Sequence, residues 1–245
     1  VHTPEIANSY DAFLSGTPLT TLDLQFLEDW LPRPTAAQQI VADLGCGTGR
    51  ILSFVTSRGY QYLGLDLSQT MLLRLGERAV QEGLPCWRVR VNLVSLQALA
   101  PQSLDHAVCL FSTLGMVRGR ENRRLVLSNL KCALKPQGRL ILHAHNVWAS
   151  LRDPGGARFL MTSWWQSRGQ QEADFGDRTY GYRGLGNMFL HSYSRRELLS
   201  DLRATGFNCR AIEPVTIRGN ERLSFASLFP SLRAGGFMIL AERRQ

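Results

Sequence analysis

Apolar positions change period repeatedly along this chain, and each change marks an element. Leu22, Phe26, Leu27, Trp30 and Leu31 share one face at helical spacing, and the helix they predict stops at Pro32 and Pro34. Short apolar runs then alternate with helical stretches, the mark of parallel β-α-β units. Strands are predicted at 39–44, 60–66, 87–91, 104–111 and 139–145. Between them lie a helix from about Gly49 stopped at Gly59, one capped by Ser68 and running to about Gly83, and one closing at Pro136, Gln137 and Gly138.

The period then lapses. Residues 147–190 mix Gly and Arg with Trp148, Trp164, Trp165, Tyr180 and Tyr182, which suits an excursion over the sheet better than another layer. Order returns at Ser194 and Glu197, spaced as a capping box, opening a helix that ends near Gly206. Two last strands follow at 208–215 and 236–242. Their link, 216–235, shows no crossover helix, so they are expected to pair antiparallel. The pattern predicts an α/β, doubly wound, mostly parallel sheet in a single domain. Its parts are an N-terminal helical cover at 1–38, a core at 39–146, a cap or insertion at 147–193, and a C-terminal helix with strands at 194–245.

Length and composition narrow the class. At 245 residues the chain fits one domain with an insertion, and 44% hydrophobic with 20% charged residues suits a packed core. The best apolar run, 106–117, is too short to span a membrane, and the N-terminus lacks the basic and apolar regions of a secretory signal; the expected place is the cytoplasm. Five scattered cysteines with no Cys-x-x-Cys pair support neither a disulfide framework nor a metal site. Charge is uneven: residues 1–100 carry 7 basic and 9 acidic side chains, 101–245 carry 21 and 11, and only Lys131 and Lys135 are lysines. Arginine forks suit phosphate and carboxylate. Codon bias would give the same excess.

The most specific chemistry lies in VADLGCGTGR at 41–50. A strand ends in Asp43 and runs into Gly45, Gly47 and Gly49, which open a helix. Glycines allow a tight turn and close approach to the main chain, while the helix start offers unpaired N–H groups. Asp66 ends the next strand, where an acid can grip the two hydroxyls of a ribose. The acid at the first strand tip would repel a pyrophosphate but would suit the ammonium of an amino-acid tail. Alone, Asp43 could equally cap its own turn; together with the glycines and Asp66, the ligand reading is the better one.

VADLGCGTGR, with LGLDLSQTML at 63–72, LDHAVCLFSTLGMV at 104–117 and LKPQGRLIL at 134–142, resembles the class I, Rossmann-like S-adenosylmethionine-dependent methyltransferases. The resemblance covers most of the chain. It implies seven strands with an antiparallel strand in the last-but-one position, and S-adenosylmethionine as cofactor in the 39–146 core. It places the methionine moiety near Asp43, Gly45, Cys46 and Gly47, with Gly49 completing the loop, and the ribose on Asp66. Leu67 and Met71 would pack on adenine, although both would serve equally as core. Asn92 stands where the family commonly has an acid for the adenine amino group, with Leu93 beside it; the amide oxygen can accept that bond, or Asn92 only starts a turn. Tyr10 resembles a tyrosine that covers the cofactor, or packs. The chain between strand four and the following helix, Phe111 to Leu114, would face the methyl group.

Methyl transfer is an in-line displacement and needs a base only if the acceptor must lose a proton. His145 and His191 are the candidates, with His143 lower on the same strand and Asn146 as an orienting group; for any single histidine a structural role is the commoner outcome. The expected partner is a small-molecule acceptor beneath 147–193, where the aromatic side chains can clamp it. Two alternatives stand beside it. Arg118, Arg120, Arg123 and Arg124, together with MFLHSYSRRELLSDLRATGF at 188–207, resemble methyltransferases that act on wobble-uridine carboxymethyl groups of tRNA, although the histidines those carry after strand four are here Phe111, Ser112 and Thr113. The third is a non-catalytic S-adenosylmethionine-binding protein.

Overall fold

A computed structural model describes residues 19–169, 173–182, 185–226 and 228–244. Tyr10 lies outside them. Helix α1, Leu19–Trp30, comes first. Alternation then runs β1 Ile40–Leu44, α2 Leu52–Ser57, β2 Gln61–Asp66, α3 Gln69–Glu82, β3 Trp87–Arg90, β4 Leu104–Cys109, α4 Arg120–Ala133 and β5 Leu134–His145. The cap carries α5, Gly156–Gly169, and a separate hairpin, β6 Asp177–Tyr182 and β7 Leu185–His191. Helix α6, Arg195–Ala204, β8 Phe207–Val215, the single turn α7 Pro230–Arg233, and β9 Gly236–Arg243 complete the chain.

The seven strands lie in the order β3-β2-β1-β4-β5-β9-β8. The first five are mutually parallel, and β9 runs antiparallel to both β5 and β8. The expected fold, with its antiparallel last-but-one strand, is the one observed. Because β1 is followed by neighbours on opposite sides, β2 and β4, a crevice opens at their C-terminal ends, where ligands of such sheets bind.

Each face of the sheet is covered. Val41, Val108 and Ile141 face α1, α2 and α3, with Phe26, Leu27, Leu52 and Leu75 fully buried among them. Ala42, Leu44, Leu140 and Leu142 face α4 and α6, packed by Leu127, Leu130, Leu198 and Leu202. The predicted face of α1 is therefore real: Leu22, Phe26, Leu27, Trp30 and Leu31 are all buried, each worth about 1.5–3 kcal/mol of transfer free energy when an aliphatic or phenyl side chain is fully covered.

One bound differs from expectation: helix α4 ends at Ala133, and 134–138 belongs to β5, with an irregularity in register opposite Leu104. Strand β3 forms the edge of the sheet among the described residues, all four of its residues exposed. The link 216–235 holds only the single turn α7 and no crossover helix among its described residues, in keeping with the antiparallel pairing of β8 and β9. In the cap, α5 buries only Gly156, Leu160 and Ser163, so a three-residue stripe with one leucine leaves no apolar period to read.

Candidate active site

Strand β1 delivers Asp43 to the crevice, and the loop beyond it folds back on β2. Gly45 and Cys46 both donate their N–H to the Leu65 carbonyl, at 2.7 and 3.1 Å. Gly45, Gly47 and Gly49 all have positive φ, at 69°, 54° and 82°, which side chains disfavour. Two of the three are also needed for packing: a Cβ at Gly45 would strike Thr113 and one at Gly49 would strike Leu75. Protein, as well as ligand, explains those glycines.

Asp66 is braced at the rim. Its Oδ2 accepts the Gly47 N–H at 2.9 Å and its Oδ1 accepts the Ser68 N–H at 2.8 Å, which leaves further lone pairs on both oxygens for a pair of hydroxyls. Asp43 lies 6% exposed, and Tyr62 donates its hydroxyl to Oδ2 at 2.7 Å. Burial pushes the Asp43 carboxyl up to about 6, against the pull of Tyr62 and Arg50. Arg50 is itself committed to buried Asp23 on α1, at 2.6 Å. Among the described residues Asp43 therefore has no cation in ion-pair contact. A buried acid short of a positive partner suits the ammonium of a methionine tail, and the braced Asp66 suits a ribose: the donor and acceptor set fits S-adenosylmethionine.

Leu67, half exposed beside Asp66, is not core, whereas Met71 and Leu93 are buried and Cys46 is buried with its thiol pushed up by desolvation. Asn92 is exposed, and its amide oxygen accepts the Val94 N–H at 3.1 Å, capping a 3₁₀ turn at Leu93–Ala98. The turn-starting role of Asn92 is thus in place, and the oxygen's second lone pair remains. After β4, Phe111 and Ser112 adopt left-handed backbone, φ 56° and 59°. This unusual pair aims the chain across the crevice, with the Arg50 guanidinium 5.7 Å from the Phe111 ring centre. Buried Ser112 accepts the His145 N–H on its Oγ at 3.2 Å, joining the β4 turn to the tip of β5.

The histidines separate by environment. His143 and His145 stack edge to face, ring centres 5.1 Å apart. Burial holds His143 down to about 4, aided by Arg50, and His145 down to about 3, aided by His143; both are neutral at pH 7. Asn146 does not orient a base: its amide donates to the Ser231 and Ala234 carbonyls at 2.7 Å each and accepts the Trp148 N–H at 3.3 Å. Nor has His191 a nitrogen to offer a substrate. It is fully buried, with Nδ1 2.7 Å from Asp177 and Nε2 3.0 Å from Glu197. Tyr62 and the Arg50–Asp23 pair escaped the sequence reading. Only Tyr62 had a signal there, since it stands in the strand after β1 in phase to share a face with Asp43.

The arginine run is also committed internally. Arg120 and Arg124 both reach Asp201 at 2.8 Å, Arg123 is 1% exposed and bonded to Asp174 at 2.9 Å, and Arg118 lies over the Phe189 ring at 4.3 Å.

Residues 41–138 match the family of methyltransferase domains. YqeM of Bacillus subtilis (strain 168), named as a methyltransferase, is 24% identical over 140 residues, covering 57% of this chain and 54% of that protein. The chain thus spans about half the length of that curated relative. An S-adenosylmethionine-dependent methyltransferase from Methanosarcina mazei superposes with a TM-score of 0.69 at 19% identity, over 89% of this chain and 97% of its own. The 1,6-didemethyltoxoflavin-N1-methyltransferase of Burkholderia thailandensis, whose structure holds 1,6-didemethyltoxoflavin and S-adenosylhomocysteine, superposes with a TM-score of 0.63 at 15% identity, over 98% of this chain and 85% of its own. These structures share the fold. Joined to the family match across 41–138, they show that the chain carries a methyltransferase-domain match in its core and the fold of the S-adenosylmethionine-dependent methyltransferases.

Proposed function

We propose that the chain is a class I S-adenosylmethionine-dependent methyltransferase whose acceptor is a small molecule, held between the β4 turn and the cap at 147–193. One observation carries this reading: Arg120, Arg123 and Arg124, the basic run that would meet RNA phosphates, are bound to Asp201 and Asp174. A phosphate-binding surface needs arginines able to exchange counterions for phosphate. These would first have to leave buried or half-buried carboxylates. The small heteroaromatic bound by the Burkholderia relative supports the same class.

In this reading Asp43 holds the ammonium of the methyl donor, Gly45, Cys46, Gly47 and Gly49 hold its amino-acid portion, and Asp66 holds the ribose. Leu67, Met71, Asn92 and Leu93 border the adenine, and Phe111 faces the transferring methyl. The donor supplies an electrophilic methyl on a sulfonium. The chain orients the acceptor in line and excludes water, which together can provide most of the acceleration. Neutral His145, at the tip of β5, is the candidate base where an acceptor must lose a proton, and burial makes it a weak one. The cap is the acceptor cover, with 39–146 as the cofactor-binding part. No helix among the described residues is long and apolar enough to cross a membrane. All five cysteines are free thiols, which supports work in a reducing compartment, the cytoplasm.

The test is release of S-adenosylhomocysteine from S-adenosylmethionine with a panel of heteroaromatic, phenolic and amine acceptors, run beside tRNA. Turnover with a small acceptor is expected. Turnover with tRNA alone would overturn the proposal.

A further inference from the structure

The charged cluster that joins the cap to the core is the least ordinary feature outside the cofactor crevice. His191 closes β7 with no solvent exposure, and each ring nitrogen faces a carboxylate oxygen: Asp177 of β6 at 2.7 Å and Glu197 of α6 at 3.0 Å. A carboxylate only accepts, and a neutral imidazole has one N–H and one lone pair. Neutral His191 would therefore set a lone pair against an anion at hydrogen-bond distance. The imidazolium satisfies both contacts. Arg123 of α4, 1% exposed, bonds Asp174 in the turn before β6 and lies 3.8 Å from the same Glu197 oxygen. Tyr193 packs edge-on to His191 and under Arg123. Three acids therefore face two bases when His191 is charged, and one base when it is not.

The cluster also departs from ordinary capping. Ser194 caps α6 by accepting the Glu197 N–H at 3.1 Å, yet the Glu197 carboxylate reaches His191 instead of closing the reciprocal half of the box. Its mechanical reach extends to the active site. The His191 carbonyl occupies the space that a Gly115 side chain would need. Gly115 belongs to the 3₁₀ turn Thr113–Met116, which follows Ser112, and Thr113 packs against Gly45 of the cofactor loop. Two residues on, Tyr193 and His145 are joined through a backbone hydrogen bond of 2.8 Å.

We propose that His191 is a positioning residue, a protonated latch that ties the β6–β7 hairpin to α4 and α6 and so holds the turn after β4 against the cofactor loop. Burial alone would lower the basicity of His191, but the hydrogen bonds to Asp177 and Glu197 outweigh it and raise the pKa above 6.5. A raised histidine stabilises fully below its unfolded pKa and loses that contribution as pH rises through the folded one. The latch is closed at low pH and opens as pH rises through the raised folded value. The latch stands on the cluster's own geometry; its effect on turnover rests on the acceptor position proposed above.

Hydrogen exchange on the full chain, read by mass spectrometry from about pH 6 to 9 and corrected for intrinsic exchange, tests it on peptides covering 185–191 and 113–117. Protection there is expected to fall roughly tenfold to a hundredfold across the His191 transition, the range for one charge-assisted hydrogen bond, while peptides from β1 and β4 show no step. His191→Gln should lack the step and be weakly protected already at pH 6.5. Asp177→Asn should move the step to lower pH, and it decides the matter if the glutamine variant does not fold. Protection without a pH step in the wild type, or wild-type protection in His191→Gln at pH 6.5, overturns the latch. A step in protection with no matching change in acceptor KM or kcat leaves the latch standing and overturns the acceptor position.

Discussion

Asp43→Asn isolates what the buried acid costs the empty protein and what it gives the loaded one. The replacement keeps shape, and Tyr62 can still donate to the amide oxygen. In the wild type the carboxyl titrates near 6 instead of 3.8, because burial disfavours its charged form. A raised acid pKa favours folding while the group is protonated, and that advantage disappears as pH rises through the folded value. From 3.8 to about 6, at about 1.4 kcal/mol per pH unit, the penalty reaches about 3 kcal/mol once both states are ionised. The asparagine variant should therefore match the wild type below about pH 4, gain on it between about 4 and 6, and exceed it by up to about 3 kcal/mol at pH 8. For a chain of this size that is roughly 6–12 °C in melting temperature. Urea unfolding of the cofactor-free protein at a series of pH values measures the difference. Calorimetric titration should show S-adenosylhomocysteine binding weakened by about 1.5–3 kcal/mol, the scale of a hydrogen bond to a charged group. A stability difference independent of pH would refute the argument, as would unchanged affinity.

Asp66→Ala should weaken cofactor binding by about 1.5–3 kcal/mol, measured by the same titration; it also frees the Gly47 and Ser68 amides, so faster exchange of the 45–48 segment should accompany the loss. Trp164→Ala with Trp165→Ala should lower turnover far more than cofactor affinity, because both side chains are exposed on α5 and neither supports the core; collapse of affinity with turnover intact would make the cap a cofactor cover. Filter binding of tRNA should lack the steep salt dependence of phosphate recognition, and a steep slope abolished by replacing Arg118, Arg120, Arg123 and Arg124 would reinstate RNA as acceptor. Arg123→Ala should destabilise the fold toward the lower end of the roughly 3–5 kcal/mol cost of breaking a buried pair, since Asp174 is partly exposed, a shift readable by urea unfolding.

The sheet was legible because its signals are local. Four of the five parallel strands, β1, β2, β4 and β5, carry apolar runs buried on both faces, and Ser68, Gly83 and Ser194 punctuate the helices where their caps are observed. Even the antiparallel end of the sheet followed from a link lacking a crossover pattern. The cap resisted for the opposite reason. Helix α5 covers little and leaves Met161, Trp164 and Trp165 exposed, so apolar residues fall on its outer face and erase the period. The site divides in the same way. Asp43, the glycines and Asp66 sit at strand tips, fixed by the alternation itself. The packing of Thr113 on Gly45 and the Arg50–Asp23 pair depend on which segments approach one another in space, and no spacing encodes that.

The arginine run and His191 mark where residue type misleads and environment decides. Four arginines within seven positions look like a surface for polyanions, and a histidine in a cap looks like a base; both inferences assume that the side chains face solvent or substrate. In the folded chain Arg120, Arg123, Arg124 and His191 meet Asp174, Asp177, Glu197 and Asp201 across α4, α6, β6, β7 and the turn before β6. Because burying charge without partners is costly, these bases and acids must be supplied together, and their pairing adds to the backbone hydrogen bonds that hold the cap on the core. The excess of basic residues in 101–245 over the first hundred is, at these positions, the cement of that joint, and the acids that neutralise it belong to the same segment of chain.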